Sequence, residues 1–135
     1  MEQTIEGVVT PGRQLGRELG FPTANIALEG GVELPDGVYL SRVEWPAGRY
    51  DAISNLGSNP TVGGNLRRLE CHLLDYAGEP LYGQRLRVRL LQRLRAEQHF
   101  ESLARLRQQI EEDVLEARRY FRTEADRSED TQAQG

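Results

Sequence analysis

The sequence predicts a mainly β domain of antiparallel strands with one long helix at its C-terminal end. Short apolar runs containing β-branched residues occupy most of the first 95 positions, broken by Gly, Pro, Asn and Asp about every 8 to 12 residues. From Phe100 the apolar period changes from two residues to three and four. The length, 135 residues with a single cysteine, fits one domain whose core forms without disulfides or a structural metal.

Strands are expected near Ile5–Thr10, Gly37–Trp45, Tyr50–Asn55, Arg68–Tyr76 and Leu86–Leu94. The last is the clearest, because Leu86, Val88 and Leu90 alternate with Arg85, Arg87 and Arg89. One face therefore meets a core, and the other meets water or an anion, water being the plainer explanation. Leu103, Leu106, Ile110, Val114, Ala117 and Phe121 form one helical stripe, expected to pack on the sheet. Ser102 is placed to cap its start, and Arg118, Arg119 and Arg122 suit its negative end. The domain is expected over 1–122, with 123–135 as a disordered polar tail.

All 17 basic residues are arginine. Without lysine there is no Walker A loop, no protein-kinase strand lysine and no Schiff-base chemistry, so phosphate is left to arginine, backbone N–H groups or a metal. The net charge of −4 argues against a general nucleic-acid binder. No apolar run is long enough to span a bilayer, and the lone thiol Cys71 and the absence of a signal peptide point to the cytoplasm.

Gly7, Gly12, Gly16 and Gly20 fall within fourteen positions, beside Arg13 and Arg17. Glycines let backbone N–H groups converge on phosphate oxygens and the arginines add charge, although an ordinary glycine-rich turn accounts for the same spacing. Pro22 biases the chain toward extended backbone, which directs Thr23 and Asn25 to one side. A hydroxyl and an amide oxygen there are hard neutral donors for Mg²⁺, though in turns such residues also bond backbone. Further on, Glu70 lies on the face opposite Leu69, Cys71 and Leu73, as a general base within a hydrophobic strand or as the partner of an arginine. Cys71 and His72 point to opposite faces and make no joint metal site.

These clusters, in this order, resemble the riboflavin kinase family. The resemblance rests on Gly20-Phe21-Pro22-Thr23-Ala24-Asn25, Asn55-Leu56-Gly57-Ser58-Asn59-Pro60-Thr61, Glu70-Cys71-His72, Leu81-Tyr82-Gly83, Leu94-Arg95-Ala96-Glu97 and Phe100-Glu101-Ser102-Leu103 with the closing helix. It implies a six-stranded antiparallel Greek-key barrel with a C-terminal helix, and transfer of the ATP γ-phosphoryl group to the ribityl 5′-hydroxyl of riboflavin, giving FMN and ADP. It further implies that Thr23 and Asn25 hold Mg²⁺ and phosphate oxygens, that Gly12, Gly16, Arg17 and Gly20 shape the nucleotide loop, and that Glu70 is the base. Arg95 and Phe100 would stand on the flavin side.

The family usually has arginine where Asn59 stands and lysine where His99 precedes Phe100; a histidine makes that contact pH-dependent. In many bacteria such a module is joined to an FMN adenylyltransferase domain, but His-x-Gly-His is absent here, so FAD synthesis is not expected from these residues. A flavin-binding or carrier module without turnover is the alternative reading. An RNA-binding barrel using Arg85 to Arg95 lacks the interleaved aromatics that stack bases.

Overall fold

The computed structural model describes residues 3–11, 20–28, 32–58 and 67–134. Six strands, β1 (Gln3–Thr10), β2 (Ala24–Ala27), β3 (Gly37–Trp45), β4 (Gly48–Ser58), β5 (Arg67–Leu73) and β6 (Arg85–Arg95), are followed by helix α1 (Leu103–Gln134). The strands close into an antiparallel barrel in the order β1-β2-β5-β4-β3-β6. Closure leaves no free sheet edge.

Alternation explains the barrel. Ile26, Val43, Leu56, Leu69, Cys71, Leu86, Val88 and Leu90 fill its interior, fully buried. Each of the larger apolar side chains contributes about 2 kcal/mol of burial. A hydroxyl pair, Ser41 with Ser54 at 2.7 Å, is buried among them and satisfies itself. Trp45 stacks on Tyr50 across the β3–β4 hairpin, and Tyr76 meets both rings edge-on. Two irregularities in the β3–β6 pairing, at Val38/Tyr39 and Leu40/Ser41, each leave one extra residue on β6, Leu94 and Leu91, and bend that strand.

Five strands stand where the sequence places them, with ends shifted by a few residues. The sixth, β2, falls in the stretch that Pro22 biases toward extended backbone; at four residues it is too short to show a period. β5 stops at Leu73, and Asp75 turns the chain with φ of 64°.

By contact the chain divides into Met1–His99 and Phe100–Gly135. Within the second unit Ser102 caps the helix as expected, its Oγ accepting from the Arg105 N–H at 3.2 Å. Gln109 donates to Asp113, and Arg107 pairs with Glu111 one turn on. The helix does not end near Arg122. It continues to Gln134, through the segment expected as a disordered tail, and Arg118, Arg119 and Arg122 are interior to it. No glycine or proline interrupts 123–134, although Thr123, Asp126, Ser128, Asp130 and Thr131 are weaker helix formers than the Glu, Ala, Arg and Gln between them. Among the described residues no helix is long and apolar enough to cross a membrane.

Candidate active site

The registers bring one polar row together. Thr10 stands opposite Asn25, Asn25 opposite Glu70, and Glu70 opposite Asn55, across β1, β2, β5 and β4. The row continues through Val38 on β3 to Arg95 at the end of β6. Because Glu70 alternates with the core residues Leu69 and Cys71, the row lies on the outer wall of the barrel.

Asn25 is the anomaly. It is only 5% exposed, yet its Oδ1 is buried with no hydrogen-bond partner among the described residues. Such an atom costs about 1–3 kcal/mol unless something meets it. An amide oxygen in this state suits a hard cation or a donor on a ligand. Thr23 lies two residues earlier, before β2 begins and on the same side, so the pair fits the Mg²⁺ set read from the sequence. Among the described residues no group of three or more His, Cys, Asp or Glu could hold a metal ion.

Glu70 is half-buried between Asn25 and Asn55. Its charge reaches two neighbours. Burial pushes the Cys71 thiol up to about 12, with a hydrogen bond to Ser54 opposing and Glu70 adding to the rise. The Glu97 carboxyl is held above the usual glutamate range, first by burial and then by Asp36 and Glu70, while Arg67 and Arg95 pull it down. Glu97 is exposed as a residue, but its carboxylate lies directly over Gly57, where any Cβ would collide with it. Asp36 is itself held by Arg67 at 2.7 Å, and Arg67 also donates to the carbonyls of Val32 and Leu34.

Gly20 has φ of 89°, which favours glycine, and it turns the chain into Phe21 and Pro22. Gly12, Gly16, Arg17 and Asn59 lie outside the described residues. Arg95 closes β6, its Nη1 donating to the Ala96 carbonyl at 3.1 Å, and Phe100 opens the second unit. Sequence reasoning missed Thr10, Asn55 and Glu97. Asn55 and Glu97 sit in recognisable motifs, but only the register shows what they stand beside.

The structure is thus a closed six-stranded barrel with one row of polar side chains across four strands of its wall. The sequence matches the riboflavin kinase family over residues 1–121, and the chain belongs to that family. It is 44% identical over 121 residues to the bifunctional riboflavin kinase/FMN adenylyltransferase of Escherichia coli strain K12, covering 87% of this chain and 37% of that protein. The protein of the same description from Haemophilus influenzae is 40% identical over 118 residues, covering 87% and 38%. An RNA-binding riboflavin kinase, RibR, of Bacillus subtilis is 39% identical over 113 residues, covering 82% and 47%. The fold is similar to a crystal structure described as a macrolide-efflux protein from Streptococcus pneumoniae, with TM-score 0.77 and 34% identity over 85% of this chain and 38% of that one. The chain thus spans less than half the length of each of these relatives.

Proposed function

We propose that this chain is an ATP:riboflavin 5′-phosphotransferase that makes FMN and ADP. The observation carrying the proposal is the buried Asn25 Oδ1, without a hydrogen-bond partner among the described residues and in direct register with Glu70, inside a segment that matches the riboflavin kinase family. Phosphoryl transfer asks for positioning and charge neutralisation more than for covalent work by the protein.

Thr23 and Asn25 would hold Mg²⁺, which supplies neutralisation of phosphate charge when bound. Gly12, Gly16, Arg17 and Gly20 would offer backbone N–H groups and a guanidinium to the nucleotide phosphates. Glu70 takes the proton of the ribityl 5′-hydroxyl as that oxygen bonds the γ-phosphorus. The bond from the γ-phosphorus to its bridging oxygen breaks, and ADP departs. Arg95 and Phe100 would orient the flavin. A cytoplasmic location and a covalently linked FMN adenylyltransferase domain, as in the bifunctional relatives, belong to the same proposal.

Incubation with riboflavin, ATP and Mg²⁺, followed by chromatography, tests it. FMN and ADP are expected in equal amounts. Bound flavin with neither product would instead identify a flavin carrier.

A further inference from the structure

We infer that His72 is a positioning residue that holds the Thr23–Asn25 segment against β5 from outside the strand ladder. The inference rests on the proposed roles of Thr23 and Asn25.

The β2–β5 pairing ends at Ala24 opposite Cys71. One step further Thr23 would stand opposite His72, but Thr23 lies outside β2, and Pro22 before it has no N–H with which to extend a ladder. Upstream, Gly20 is at positive φ and imposes no side-chain restraint. The main chain alone therefore leaves the entry to β2 weakly held.

The His72 side chain supplies what the ladder lacks. Its Nδ1 is 3.2 Å from the Pro22 carbonyl oxygen, fifty residues away in sequence. A carbonyl only accepts, so Nδ1 carries the proton and donates. The same ring meets Phe21 edge-on, with centroids 5.5 Å apart and planes at 89°. Hydrogen bond and ring contact together hold residues 21 and 22. Because the peptide joining Pro22 to Thr23 is planar, fixing that carbonyl fixes the direction in which Thr23 leaves. His72 shares the outer face with Glu70, so one stretch of β5 carries both the proposed base and the clamp on the nucleotide side.

The test compares three variants with the parent by calorimetric titration of Mg²⁺ and ADP, riboflavin fluorescence quenching and melting. His72→Phe keeps the ring and loses the donor; His72→Asn keeps an amide donor on Cγ where Nδ1 was; Asn25→Ala reports on the site itself. His72→Phe is expected to weaken Mg²⁺–ADP binding roughly tenfold, the scale of one lost hydrogen bond, with riboflavin affinity and melting nearly unchanged. His72→Asn is expected to restore most of that affinity. If Asn25→Ala weakens nucleotide binding and His72→Phe does not, the inference is overturned and the site stands. Native nucleotide binding in Asn25→Ala overturns both. Failure of His72→Asn to rescue, or a fall in riboflavin affinity equal to that for nucleotide, also overturns the inference. If His72→Phe does not fold, His72→Leu, which also lacks a donor, replaces it under the same criteria.

Discussion

Two rows of polar side chains cross the outer wall of this barrel, and they differ in whether they satisfy themselves. In the first, Glu6 on β1, Arg87 on β6, Glu44 on β3 and Arg49 on β4 stand in direct register. Charges alternate from strand to strand. Arg87 reaches Glu6 at 2.9 Å and Arg85 reaches it at 3.4 Å, while Glu44 lies 3.6 Å from Arg49 and 3.9 Å from Arg89. The arginine hydrogen bonds hold the Glu6 carboxyl below the usual range. In the second row, Thr10, Asn25, Glu70 and Asn55 stand in direct register, and the Asn25 Oδ1 is left without a hydrogen-bond partner among the described residues. The first row is complete within the protein. The second leaves the Asn25 Oδ1 open, and under the proposed function a cation or ligand meets it.

The sharpest way to break this contrast is Glu70→Gln. Turnover to FMN is expected to fall by roughly a hundredfold or more, the usual effect of removing a positioned base, with riboflavin binding largely kept. Near-native turnover per folded molecule would return Glu70 to a structural role. On the self-satisfied row, Arg87→Ala is expected to lower stability in urea melts by only about 0.2–1 kcal/mol, because its side chain is 59% exposed, and to leave FMN formation unchanged.

The smallest effect concerns Glu97. Its carboxyl has a folded-state pKa above the unfolded one, so it favours the fold while protonated, and that contribution is lost as pH rises through the folded value. Glu97→Gln is therefore expected to melt slightly higher than the parent at neutral pH, with the difference vanishing below about pH 4. A difference that grew as pH fell would contradict the cause assigned to the shift.

Much of this was legible in the sequence, for definable reasons. β6 announces itself because Leu86, Val88 and Leu90 alternate with arginines, and the outward direction of Glu70 follows from the same two-residue period. Motifs led to Thr23, Asn25 and Glu70. What the sequence does not contain is register. That Asn25 stands opposite Glu70 depends on a four-residue strand with buried residues on both faces, which shows no alternation at all. The contact between His72 and Pro22 joins residues fifty positions apart and leaves no local trace. The helix runs on to Gln134 through a polar segment in which no glycine or proline interrupts it before Gly135.

Asn25→Leu tests the difference between the rows most directly, through melting and FMN formation on one preparation. Leucine keeps the branched shape and removes the unsatisfied amide, so stability is expected to hold or rise by about 1 kcal/mol while turnover collapses. Retained turnover, or stability falling together with activity, would contradict the assignment of Asn25 as an atom held open for a ligand.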